Sequence, residues 1–143
     1  MTEISFHVNV ASPAGYACRL ARKALGQGRA VTATGPAAVL AELDRALWTF
    51  SPADFVAHAW AAQAAEVPAS LHASTLWLAP DPGDVAEHDV LVNLGDTVPR
   101  GFESFARLVE VVGADESGRL AARGRWKAYR DRGYRVESHE AAA

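Results

Sequence analysis

The most constraining feature of the sequence is a short, almost uninterrupted apolar run at residues 89–94 (DVLVNL). A strand that is apolar on both faces is typical of the centre of a parallel sheet with helices on each side. A second short apolar run at residues 108–112 predicts another strand. Both runs favour a fold in which helices cover a sheet from two sides.

The rest of the chain alternates between strand-like and helix-like segments. Residues 4–10 alternate in polarity, with Ile4, Phe6, Val8 and Val10 expected on one face. Ser12 and Pro13 are typical of a helix start, and glycine is typical of a helix end. The alanine-rich segment 60–70 fits a loop with a helical turn. The other predicted elements are helices at 13–25, 37–48, 102–106 and 115–132, strands at 30–33 and 75–79, and extended segments at 55–58 and 134–136.

This alternation predicts a three-layer α/β/α domain with a mostly parallel sheet and helices on both faces. The length of 143 residues fits one domain, which we place at residues 1–138, followed by a frayed tail at 139–143. The single cysteine, Cys18, cannot form an internal disulfide and fits a reducing compartment. No run approaches a membrane span and the amino terminus lacks a signal-peptide pattern, so we expect a cytoplasmic protein.

The motifs of common α/β enzymes are absent from the sequence. The turns at Gly15 and Gly35 lack the glycine and lysine patterns of dinucleotide and phosphate-binding loops, so no nucleotide site is expected. No two histidines have the i, i+4 spacing of a helical zinc site. We therefore expect no cofactor and no metal. Asn93 and Asp96 alone suggest an enzyme site, and they fit loop caps equally well.

The charge is unevenly distributed along the chain. The net charge of −3 argues against a protein that coats nucleic acid generally, yet seven of the 14 Lys and Arg residues lie between positions 119 and 135. Asp131 is the one acid in that stretch. The stretch predicts either a solvated helix or a basic face for an anionic partner. Its cations are Arg119, Arg123, Arg125, Lys127, Arg130, Arg132 and Arg135.

Helical geometry gathers several of these side chains on one face of the last helix. At about 100° per residue, Arg123 lies roughly 40° from Arg119, and Arg130 about 20° from it. Lys127 lies at about 80° and Trp126 at about −20°. Such a row of cations attracts carboxylates, and Trp126 with nearby Val112 could wall a pocket for an apolar side chain.

The residues leave three interpretations of this face open. The first is a site for an acidic peptide that carries a hydrophobic residue or a terminal carboxylate. The second is a single-stranded nucleic acid site, although one tryptophan offers little stacking surface. In the third, Trp126 packs into the core and the arginines are only solvated.

Three stretches resemble a known family. The motif at residues 123–130 (RGRWKAYR), followed by Gly133 and Tyr134, is similar to the carboxyl-terminal signature of the chi subunit of bacterial DNA polymerase III. The stretches at 43–48 (LDRALW) and 55–58 (FVAH) are similar as well, and the resemblance covers essentially the whole chain. It implies a Rossmann-like fold without a nucleotide site and a protein that is not an enzyme.

The resemblance also implies partners. Members of the family bind the acidic carboxyl-terminal tail of single-stranded-DNA-binding protein, which ends in a Phe with a free carboxylate. By motif, Arg123 would hold that carboxylate or a neighbouring acid, and Trp126 with Val112 would flank the Phe. Arg119 and Lys127 would attract the upstream aspartates, and Arg130 completes the row.

A second implied partner is the psi subunit, which links chi to the clamp loader. The contact resembles a hydrophobic patch near Trp48 and Phe55, although each aromatic would serve equally well in the core. The leading expectation is thus a non-catalytic subunit that joins the single-strand-binding protein to the clamp loader. The alternative is direct binding of single-stranded nucleic acid by the basic helix.

Overall fold

The computed structural model describes residues 1–49 and 56–141. The described part of the chain has seven strands and three α-helices, with short 3-10 helices between them. In chain order the elements are β1 (Glu3–Val10), α1 (Pro13–Gly26), β2 (Val31–Thr34), α2 (Ala37–Thr49), β3 (His58–Trp60), β4 (Leu76–Leu78), β5 (Val90–Asn93), β6 (Arg107–Gly113), α3 (Glu116–Asp131) and β7 (Val136–Glu140). The 3-10 helices are Ala61–Glu66, Ala69–Ser74, Pro82–Asp84 and Phe102–Ser104.

The described strands form one sheet in the order β3-β4-β2-β5-β6-β1-β7, and every pairing in it is parallel. The apolar run at 89–94 supplies β5, which lies in the middle of the sheet between β2 and β6. Helices α1 and α2 pack on one face of the sheet, over a shared cluster of buried side chains. Helix α3 packs on the other face, over a second cluster. The predicted three-layer α/β class with a parallel sheet is therefore confirmed.

Local signals in the sequence account for the helix ends. The Ser12 hydroxyl accepts a hydrogen bond from the Gly15 backbone N–H at 3.3 Å, and Pro13 opens α1. Asp115 caps α3 in the same way, accepting from the Gly118 N–H at 3.0 Å. Cys18 lies on the inner side of α1 and is buried.

Strand β1 departs from the predicted alternation near its end. Asn9 has a positive φ of 59°, and the pairing of β1 with β6 shifts register between His7 and Val10. Ile4 and Phe6 share one face, as expected, and pack beneath α3, whereas Val10 packs into the core beneath α1 and α2. The expectation that Val10 shares their face is wrong. The register shift is a β-bulge, and the extra residue places Val10 on the opposite face of the sheet.

Two expectations about irregular segments also need correction. The strand predicted at 134–136 instead runs over Val136–Glu140, so His139 and Glu140 pair with β1 and do not belong to a frayed tail. The alanine-rich segment forms two 3-10 helices, which agrees with a loop containing helical turns. Most of the extended segment predicted at 55–58 precedes β3, and Phe55 lies outside the described residues.

Candidate functional site

Helix α3 separates its side chains into an inner and an outer face. Ala122, Arg125 and Tyr129 are buried against the sheet at helical spacing. The residues on the opposite side of the helix point away from the sheet, because side chains on an α-helix repeat every 3.6 residues. The helix therefore presents a defined outer face.

Four cations of the predicted row lie on that outer face. They are exposed side chains spread over three turns of one helix. Among the described residues, none of the four forms an ion pair with a carboxylate. The structure thus brings together a row of positive charges, with Asp115 and Glu116 near its Arg119 end and Asp131 next to Arg130. The four cations are Arg119, Arg123, Lys127 and Arg130.

Trp126 lies at the edge of this row and is half-buried. Its ring centroid is 5.2 Å from that of Phe6, and its inner side packs on the core beneath α3. Val112 belongs to the same core and is only 3% exposed. On this side of the cations, Trp126 therefore offers the accessible apolar surface and Val112 lies below it.

Arg125 does not belong to the exposed row, although it lies within the basic stretch of the sequence. Its Nε donates a hydrogen bond to Oε1 of Glu110 at 3.1 Å, and one of its terminal nitrogens donates to the Asp96 carbonyl at 3.0 Å. Both members of the ion pair are buried. Arg125 therefore fixes α3 to strand β6 and to the loop after β5.

Glu110 is the centre of a buried polar network that the sequence analysis missed. Besides Arg125, it accepts hydrogen bonds from the Tyr129 hydroxyl at 2.5 Å and the Asn93 amide at 2.9 Å. Asn93 also accepts from the Gly95 N–H at 2.9 Å, so this residue caps a loop. The available signal was an acid inside the apolar run LVEVV, because a buried charge needs a partner.

The network perturbs the titration of its acids. Burial raises the pKa of Glu110 to about 7, and the charge of Arg125 with the three hydrogen bonds opposes only part of that rise. Burial and the neighbouring carboxyl of Glu110 raise the pKa of Tyr129 as well. These groups are inaccessible to a partner, so we assign them to the architecture of α3.

Of the two residues predicted for the second patch, the structure describes Trp48. Trp48 is 67% exposed at the end of α2, with its ring centroid 4.8 Å from that of His58. Trp48 is therefore not among the buried core residues of the described chain. Phe55 lies outside the described residues.

A groove of about 710 Å³ among the described residues lies away from this helix. It lies on the other face of the sheet, between α1 and strands β1 and β7, with His7 and His139 on its floor. Within the described residues no group of three His, Cys, Asp or Glu side chains could hold a metal ion. No described helix is long and apolar enough to cross a membrane.

Comparison with known proteins finds similarity over most of the chain. The family model described as DNA polymerase III chi subunit, HolC, matches residues 1–137. The Pseudomonas aeruginosa protein named DNA polymerase III subunit chi is 35% identical, over 97% of this chain and 96% of that protein. The Haemophilus influenzae protein of the same name is 28% identical, over 85% of this chain and 83% of that protein.

Proposed function

Because the chain belongs to the DNA polymerase III chi subunit family, and so takes part in DNA replication, we propose that it is a non-catalytic subunit that binds an acidic protein tail. The tail is the carboxyl terminus of single-stranded-DNA-binding protein, with a final Phe and a free carboxylate. By holding that tail in the cytoplasm, the subunit connects the coated DNA strand to the clamp loader.

The observation that carries this proposal is the row of four exposed cations on α3, none of which forms an ion pair with a carboxylate among the described residues. A disordered acidic tail is the matching partner, because its carboxylates would supply the missing charges. Arginine can hold a carboxylate with two parallel hydrogen bonds, which suits a terminal carboxylate at Arg123. Arg119 and Lys127 would attract aspartates further upstream, and Arg130 lengthens the positive row.

Trp126 supplies the apolar part of the proposed site. The accessible side of its ring would contact the Phe of the tail, while Val112 supports that surface from within the core. A Phe ring that leaves water on binding adds favourable free energy without depending on salt. In this arrangement the cations set the rate of encounter and the aromatic contact sets specificity.

For the connection to the clamp loader, we propose that the patch near Trp48 binds the psi subunit in organisms that have one. An indole exposed to this extent at a helix end is typical of an interface residue. Phe55 is the second residue of this proposed patch. The contact is separate from α3, so both partners could bind at once.

The test is fluorescence anisotropy with a labelled acidic peptide ending in Phe. We expect micromolar binding, a loss of at least about tenfold for Arg123→Ala, and a similar loss when the peptide carboxylate is amidated. Arg19→Ala is the matched control, because Arg19 is an exposed cation on α1, on the other face of the sheet. Its affinity should equal that of the wild type.

The same experiment tests the alternative of direct nucleic-acid binding by this helix. An unlabelled single-stranded oligonucleotide is added as competitor. The alternative would be supported if the peptide failed to bind while the oligonucleotide bound tightly and Arg123→Ala abolished that binding. The ligand of this helix would then be single-stranded DNA and not the tail. The half-buried position of Trp126 favours the tail, because one ring packed on Phe6 offers little surface for stacking bases.

A further inference from the structure

Leu120 is an exposed apolar side chain in the second turn of the basic helix. It is 59% exposed, although most leucines of the described chain are fully or partly buried. On α3 it lies three residues before Arg123 and seven before Lys127, so all three share one side of the helix. An isolated exposed leucine is unremarkable, but this one lies inside the proposed binding face.

Gly124 leaves the helix surface bare one turn beyond Leu120. A Cβ atom placed at Gly124 would meet no other atom within 4 Å, so neither packing nor a close approach requires glycine here. Its backbone is helical, so a positive φ does not require glycine either. Glycine in a helix interior lowers stability, and here it keeps the surface beside Leu120 flat.

Leu120 and Gly124 lie on the opposite side of the cations from Trp126. On the helical wheel Leu120 is about 100° and Gly124 about 140° from Arg119, whereas Trp126 is at about −20°. The cations lie between these two apolar positions. Along and around the helix, Leu120 and Trp126 are separated by roughly 10–14 Å, which three or four residues of an extended peptide would span.

We propose that Leu120 and the bare backbone at Gly124 form a second apolar contact site on α3. Its ligand is an apolar side chain of the same acidic peptide, three or four residues before the terminal Phe. This inference rests on the proposed function, and it adds to it a requirement on the sequence of the tail.

Charge decides between an acidic peptide and a second copy of this chain as the occupant. Arg123 and Lys127 border Leu120, so two copies meeting at this patch would bring like charges together. An acidic peptide instead gains attraction on each side of the apolar contact. Glu116, one turn before Leu120, limits the patch toward the start of the helix.

The test compares two substitutions that should act oppositely on stability and on binding. The probe is a labelled acidic peptide ending in Phe with a leucine three residues earlier. Leu120→Ala should weaken its binding about fivefold with little change in Tm. Gly124→Gln should raise Tm by a few degrees, because glutamine is the better helix former, yet weaken binding at least about threefold by covering the flat surface.

Two controls isolate the contact. Leu71→Ala removes another leucine, 50% exposed and outside α3, and should bind like the wild type. A second peptide, with alanine in place of its leucine, should bind wild type and Leu120→Ala equally. That result would show that the two leucines are coupled.

The outcomes separate this inference from the proposed function. If Arg123→Ala loses binding while Leu120→Ala and Gly124→Gln bind like the wild type, the Leu120 site is overturned and the tail site stands. If the wild type binds neither peptide, both proposals fail. If the wild type self-associates and Leu120→Ala abolishes this, the occupant of the Leu120 site is a second copy of the chain and the proposed peptide contact is overturned.

Discussion

Arg125 and Glu110 form a buried ion pair, with the Arg125 Nε 3.1 Å from Oε1 of Glu110, while Arg123 on the same helix is exposed to solvent. Two arginines separated by one residue thus have different tasks. The pair between Arg125 and Glu110 holds α3 on the sheet, and this fixes the direction in which Arg123 points. The orientation of the proposed tail site therefore depends on a contact that no partner touches.

Removing Arg125 should destabilise the fold far more than removing Arg123. Arg125→Ala leaves the Glu110 carboxyl buried without its cation, and we expect a loss of about 3–5 kcal/mol in the free energy of unfolding. Arg123→Ala, the matched control, should change it by less than about 0.5 kcal/mol. Urea denaturation measures both. Equal losses would show that the ion pair contributes nothing particular to the fold.

Glu110 should make stability fall as pH rises through the mildly acidic range. Folding raises the pKa of Glu110 from 4.5 to about 7, so between those values the folded state binds more protons than the unfolded state. The wild type should therefore lose stability relative to Glu110→Gln, by at most about 1.4 kcal/mol per pH unit. Above about pH 7 the difference should be constant.

The measurement is urea denaturation of both proteins at several pH values from about 4 to about 8. Subtracting the two curves removes the titration of all other groups. A difference that grows in favour of the wild type with rising pH would contradict the expectation. It would mean that the attraction of Arg125 outweighs burial and holds the pKa of Glu110 low.

Trp48 and Trp77 should respond differently to truncation. Trp48→Ala removes a mostly exposed indole and should cost less than about 1 kcal/mol, whereas Trp77→Ala opens a buried position and should cost about 3–5 kcal/mol. Thermal or urea unfolding gives both values. A large loss for Trp48→Ala would assign that residue to the architecture and weaken its proposed contact with a partner.

Binding of the acidic peptide should weaken with added salt. The cations of α3 are exposed, and charges at the surface are screened within about 10 Å at 0.1 M salt. Raising sodium chloride from about 0.05 to about 0.5 M should reduce affinity at least about tenfold. Anisotropy titrations should give a shallower salt dependence for Lys127→Ala than for the wild type. Identical slopes would remove Lys127 from the site.

Sequence patterns were sufficient for the order of elements and for the outer face of α3. Apolar runs marked the buried strands, and Ser12 and Asp115 marked helix starts, because capping involves only residues three or four positions apart. The helical repeat likewise separates Arg123 from Arg125 before any tertiary contact is known. These features depend on backbone geometry and on residues a few positions apart, so a short stretch of sequence is enough to predict them.

Tertiary structure decided the features that depend on distant residues. Glu110 is 15 residues from Arg125 and 17 from Asn93 along the chain, and only the pairing of β5 with β6 beneath α3 brings them together. The bulge at Asn9 places Val10 in the core beneath α1 and α2. Pairing with β1 extends β7 through Glu140. A local sequence pattern does not predict such contacts, because the packing of the whole sheet determines which residues are buried and how the strands are paired.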